Sequence, residues 1–217
     1  MNKIFNKPIK PINAIIGILL LTLGFLNLSY GWIPILAPYS LVITGLISFA
    51  ITFGADSIKM LFSMPQKLAK NFLSFFSLSI LASVLTSFFL MYVLKLDLSA
   101  NPAVGNVPWL NLPFMLLGEE LISFFVFALV ASLCKNNKKQ LLIATVCSAI
   151  VFALLHVPTY WDGSLLITTL HVLALQGVSR LIFNTAGVKS NSIILPWVIH
   201  VLFDILMLGL AGLSLLI

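Results

Sequence analysis

The amino-acid sequence predicts an all-α protein, a polytopic transmembrane bundle of about seven to eight helices enclosing a polar intramembrane cavity. Three observations carry this expectation. The chain of 217 residues is 60% hydrophobic and only 8% charged, whereas soluble domains are roughly half apolar and a quarter charged. Apolar stretches close to the ~20 residues that cross hydrocarbon recur from one end to the other. The basic residues gather in alternate connections, as they do where a chain weaves through a bilayer.

Taken in order, the predicted crossings are Asn13–Leu28, Ile33–Phe53, Phe72–Leu94, Leu112–Leu133, Leu141–Val157, Ser164–Phe183 and Ile193–Leu215. Lys3, Lys7 and Lys10 precede the first, and Leu28-Ser29-Tyr30-Gly31-Trp32 offers no small-x-small cleavage site, so this crossing reads as a retained helix rather than a signal peptide. Between the second and third, Ile58–Leu73 mixes lysines with Met60, Leu61, Phe62 and Leu68, a pattern that suits a short helix on the membrane surface, although Pro65 opposes it. Asn101, Pro102, Gly105, Asn106, Pro108 and Pro113 make Leu98–Pro113 an irregular loop.

Of the 12 basic residues, all but Lys95 fall on one side of this weave: the N-terminus, the Asp56–Lys70 loop, the Lys135–Lys139 loop and the Arg180–Lys189 stretch. The positive-inside rule makes that side cytoplasmic, N-terminus included, in a multi-pass protein of the cell membrane. The net charge of +6 therefore orients the chain in a bilayer and does not bind nucleic acid. Cys134 and Cys147 lack CxxC spacing and read as small hydrophobes. The whole, 1–217, reads as a single membrane domain, with N-terminal spans over 1–95 and a second part, 112–207, that holds nearly all the awkward polar chemistry.

Insertion scales put an Asp at a helix centre at about 2.5–3.5 kcal/mol, which makes each ionisable residue within a span a functional suspect. Here they are Glu119, Glu120, His156, His171, His200 and Asp204. Neighbouring helix positions differ by about 100°, so one of the adjacent glutamates faces a cavity while the other braces it. Two close carboxylates in a low dielectric resist ionising together, which suits the pair to accepting and returning a proton. His200 and Asp204 share a helix face at i, i+4, as do Phe152 and His156. A carboxylate one turn from a histidine can fix its tautomer, orient a water or complete a metal site. His171 reads equally as a packing residue.

Glu119-Glu120, then Phe152-Ala-Leu-Leu-His156, then His200-Val-Leu-Phe-Asp204 resemble the three motifs EExxxR, FxxxH and HxxxN/D of the CPBP family, the CAAX proteases and bacteriocin-processing enzymes also called the ABI family. Gly177 and an expected turn at Asn184-Thr-Ala-Gly187 lead into the third motif. The resemblance implies an intramembrane endopeptidase whose catalytic core spans 112–207. Its substrate would be a membrane-associated peptide or protein, with the lipid bilayer as its other partner. By position, Glu119 resembles the base that activates water with His156 assisting, Glu120 the supporting carboxylate, and His200 with Asp204 the pair that steadies an oxyanion or binds metal. A zinc ion on His156, His200 and Glu119 would meet the three-ligand pattern of catalytic zinc, and the same residues equally serve a metal-free mechanism.

Two positions depart from the family pattern. Phe124 stands where the motif has arginine, and Asp204 can occupy the asparagine position. Arg180, the one arginine of the chain, is expected near the cytoplasmic end of its span and away from Glu120, which leaves the glutamate either protonated or partnered by a residue such as Ser123 or His171. Lysine dominates the basic residues, as in AT-rich bacterial genomes, which favours a bacteriocin or pheromone precursor over a prenylated CAAX-like tail, with self-immunity as a role. A non-catalytic immunity or binding protein of the same fold, or a proton-coupled transporter, is the alternative reading. By these span ends Glu119 and His156 lean towards the outer half of the membrane.

Overall fold

A computed structural model describes residues 1–96, 101, 104 and 108–214. Among them the chain forms nine α-helices and no strand: α1 (Pro11–Tyr30), α2 (Ala37–Phe53), α3 (Asp56–Leu61), α4 (Leu68–Phe88), α5 (Leu112–Leu133), α6 (Gln140–Leu155), α7 (Leu165–Val172), α8 (Val178–Ser190) and α9 (Ile194–Ser214). The expected helical bundle is the one observed. Five helical stretches are long and apolar enough to cross a membrane, namely Pro11–Tyr30, Leu68–Val93, Leu112–Leu133, Leu165–Ser190 and Ile194–Ala211; α2 and α6 are apolar and shorter. Half of the irregular loop expected from Leu98 to Pro113 lies outside the described residues, and its last two positions already belong to α5.

Local chemistry sets the ends. Proline stands in the first turn of α1, α2 and α5, where its missing N–H costs nothing. Gly31 closes α1 in the left-handed region at φ 63°. The surface helix expected over Ile58–Leu73 is cut short: α3 stops at Leu61, and α4 starts only at Leu68 after Pro65 and a left-handed Lys67. Proline's ring and absent donor forbid a continuous helix there.

The sixth crossing also differs from expectation. It runs without interruption from Leu165 to Ser190, through a π-helical turn at Leu173–Gly177, rather than ending at Phe183. Asn184–Gly187 is helix, and the turn falls instead at Asn191, φ 57°. Arg180 consequently sits in the interior of a long helix, ten residues short of its last position.

α5 is the most buried of the long helices and organises the rest. It lies so close to α2 that a Cβ at Gly118 would stand 2.8 Å from Leu41 Cβ. Small residues allow this approach where lipid supplies no hydrophobic drive between helices. Hydroxyl contacts reinforce it on the other side, where Ser123 Oγ meets Ser148 Oγ of α6 at 2.9 Å and lies 3.3 Å from Asn184 Oδ1 of α8.

The lysine-rich segments meet at one end of the bundle. Lys7 pairs with Asp56 at 2.7 Å, Gln140 Nε2 donates to the Phe5 carbonyl, the Asn2 N–H donates to Asn191 Oδ1, and the Gln66 N–H donates to the Ser190 carbonyl. The alternation read from the sequence is thus a spatial segregation.

Candidate active site

The two adjacent glutamates point in different directions, as the 100° step requires. Glu120 is fully buried and turns towards the sixth crossing, where Arg180 Nη1 donates to Oε1 at 2.8 Å and Nη2 to Oε2 at 2.7 Å. This bidentate pair corrects the expectation that Arg180 and Glu120 lie apart. The cause is the length of the helix: extending it to Ser190 moves Arg180 from a cytoplasmic end to mid-bundle. Neither Ser123 nor His171 is the partner of Glu120.

Arg180 is itself fully buried, with its guanidinium carbon 5.0 Å from the Phe152 ring centre and 5.1 Å from that of Phe183. Two aromatic faces and a carboxylate together compensate a charge that the bilayer interior would otherwise expel. Phe124, at the motif's arginine position, is buried against Gly187, where an added Cβ would collide with its ring. The site thus has an arginine, supplied by a different helix from the one the motif uses.

Glu120 Oε1 also lies 2.9 Å from His200 Nδ1. An ionised carboxylate only accepts, so Nδ1 carries the proton and donates. That contact fixes the ring's tautomer and orientation and turns Nε2 the other way. Nε2 then faces two carboxylates, Glu119 Oε2 at 3.9 Å and Asp204 Oδ1 at 3.8 Å. These separations are too long for hydrogen bonds and suit a bridging water. The i, i+4 relation of His200 and Asp204 is realised, and the adjacent glutamates address the two nitrogens of one imidazole.

Glu119, His156, His200 and Asp204 all line one cavity of about 590 Å³, mostly apolar in its walls. His156 lies just past the last turn of α6, where its Nδ1 stands 2.9 Å from the Phe152 carbonyl. A carbonyl only accepts, so Nδ1 donates. His171 is buried with its Nδ1 unpartnered and its ring edge-on to Tyr160 at 4.9 Å, so it is a cavity-wall residue and not a member of the Glu120 cluster.

A metal ion fits this arrangement poorly. Among the described residues no three of His, Cys, Asp and Glu are grouped closely enough to hold one. His156, His200 and Glu119 share the cavity without forming the zinc set that their motif positions allow.

Two residues escape a motif-based reading. Arg180 is visible as a cation well inside an apolar stretch once that stretch is extended to Ser190, where Lys189 marks its end. Tyr160 follows His156 by four positions, is buried in the cavity wall, and its oxygen accepts from Gln176 Nε2 at 3.2 Å. Burial and the charges of Asp204 and Glu119 push its phenol above the ordinary range, so it stays protonated and keeps a proton to donate.

Residues 106–206 match the model of a family described as Rce1-like, type II CAAX prenyl endopeptidase. No curated protein and no solved structure matches the chain. The matched segment holds the glutamate pair, all three histidines, Asp204 and the arginine that reaches Glu120 from another helix. Over that segment, a little under half of its 217 residues, the chain is similar to the Rce1-like type II CAAX prenyl endopeptidases of the CPBP family.

Proposed function

We propose that this protein is an intramembrane endopeptidase that cleaves a membrane-associated peptide by metal-free, glutamate-activated water. The observation that carries the reading is the arrangement around His200: Nδ1 held by Glu120, and Nε2 facing Glu119 and Asp204 across a gap of one water. A water there attacks the scissile carbonyl carbon while Glu119 takes its proton, with His156 assisting. The tetrahedral oxyanion forms, the C–N bond breaks, and Glu119 returns the proton to the leaving amine. Asp204 steadies His200 rather than the oxyanion, since an ionised carboxylate cannot donate. The Tyr160 hydroxyl is the donor best suited to the oxyanion.

The similarity of residues 106–206 to the Rce1-like endopeptidases supports peptide-bond hydrolysis within the membrane. A bacteriocin or pheromone precursor, with a self-immunity role, is the substrate assignment that the lysine-rich composition favours. The missing arginine at Phe124, which would favour a non-catalytic immunity protein, is offset in space by Arg180. The test is cleavage of a quenched apolar reporter peptide by the purified full chain. Cleavage that is lost in Glu119→Gln and His200→Ala supports the reading, and cleavage undiminished in both removes it.

A further inference from the structure

We propose that the cavity opens on the extracytoplasmic face and takes an extended, apolar peptide segment presented from outside, rather than a tail in the cytoplasm. The substrate half of this inference rests on the peptidase reading; the position of the mouth does not.

With Arg180 now placed in mid-bundle, the remaining basic residues are all lysines, and all but Lys95 sit at one end. That end is assembled by contacts among the N-terminal segment, α3, the start of α6 and the end of α8. By the positive-inside rule it is cytoplasmic. The cavity lies at the opposite end. Its walls include Leu28 from the last turn of α1, Leu112 from the first turn of α5, Asn101 from the connection before it, and His156 and Thr159 from the turn after α6. None of the ten lysines of the cytoplasmic end lines it.

Depth and chemistry agree with entry from this side. Glu119 is seven positions beyond Leu112, roughly 10 Å at 1.5 Å per residue. An extended chain covers that depth with about three residues at ~3.3–3.6 Å each. Walls built from side chains such as Ile122, Leu155, Phe203 and Leu208 favour apolar residues next to the scissile bond.

The test is topological and needs no catalysis. In the full chain carrying Cys134→Ala and Cys147→Ala, a single reporter is introduced as Thr159→Cys or Lys138→Cys, both at exposed positions. Spheroplasts are treated with a membrane-impermeant maleimide, and permeabilised spheroplasts confirm that each cysteine reacts. Labelling of the Thr159→Cys chain in sealed spheroplasts, with the Lys138→Cys chain labelled only after permeabilisation, supports the inference. The reverse pattern, or labelling of both in sealed spheroplasts, overturns it. An inactive but outward-facing protein would leave this result intact while removing the peptidase reading, so the two can fail separately.

Discussion

Arg180 and Glu120, sixty positions apart, close a bidentate ion pair of 2.8 and 2.7 Å with no solvent exposure on either side chain. Removing one partner strands a buried charge, which typically costs about 3–5 kcal/mol. Arg180→Met is therefore expected to lower the unfolding midpoint of the detergent-solubilised protein sharply, and Glu120→Gln in the same chain to restore much of it. If the double variant is no more stable than Arg180→Met alone, the pair does not act as a coupled unit. Cleavage should stay lost in the double variant, because His200 no longer has an ionised carboxylate on Nδ1.

Glu119 differs from its neighbour in kind. It faces the cavity and touches His200 only at 3.9 Å. Glu119→Gln should leave thermal stability near wild type and reduce kcat by roughly 10²–10⁴, the range for loss of a general base. A large fall in stability with kcat preserved in the folded fraction would assign Glu119 a packing role instead.

Tyr160→Phe keeps the ring against His171 and removes one donor. If its hydroxyl meets the oxyanion, kcat falls by about 10²–10³ with KM little changed. An effect confined to KM would place Tyr160 in substrate binding. Gln176→Leu, which frees the phenol oxygen, should produce a smaller loss of the same type.

Asp162 organises the turn that leads from His156 and Tyr160 into α7. Its Oδ1 accepts from Thr168 Oγ1 at 2.7 Å and from the Ser164 N–H at 2.8 Å, and these contacts hold its carboxyl below the usual range. A lowered folded value means that the stabilisation is present above the ordinary carboxylate range and disappears as pH falls through the depressed one. The stability gap between wild type and Asp162→Asn is therefore expected at neutral pH and should close on acidification. A gap independent of pH would show that ionisation of Asp162 plays no part.

Metal dependence has a direct outcome. Since His156, His200 and Glu119 are not gathered as ligands, dialysis against a chelator is expected to leave cleavage unchanged. Loss of activity restored by zinc alone would require those side chains to regroup around an ion.

Much of this architecture is legible in the sequence because a bilayer constrains it locally. A span must be apolar and long enough, and its flanks must carry the charge bias, so composition and the placement of Lys3 to Lys189 suffice to derive a helical bundle with one basic end. The suspect residues are equally visible, because an ionisable group in hydrocarbon is costly wherever it sits: Glu119, Glu120, His156, His200 and Asp204 stand out without any contact being known.

Partnership is another matter, since it depends on depth and rotation summed over several helices. The span end placed at Phe183 instead of Ser190 put Arg180 at a membrane surface, and only the folded chain returns it to Glu120. Rotation likewise decides that Glu120 reaches Nδ1 of His200 while Glu119 faces Nε2, and that Phe124 packs on Gly187 where the motif has arginine. Sequence determines which residues the membrane makes expensive; tertiary packing determines which of them compensate one another, because that depends on distances of a few ångströms between helices far apart in the chain.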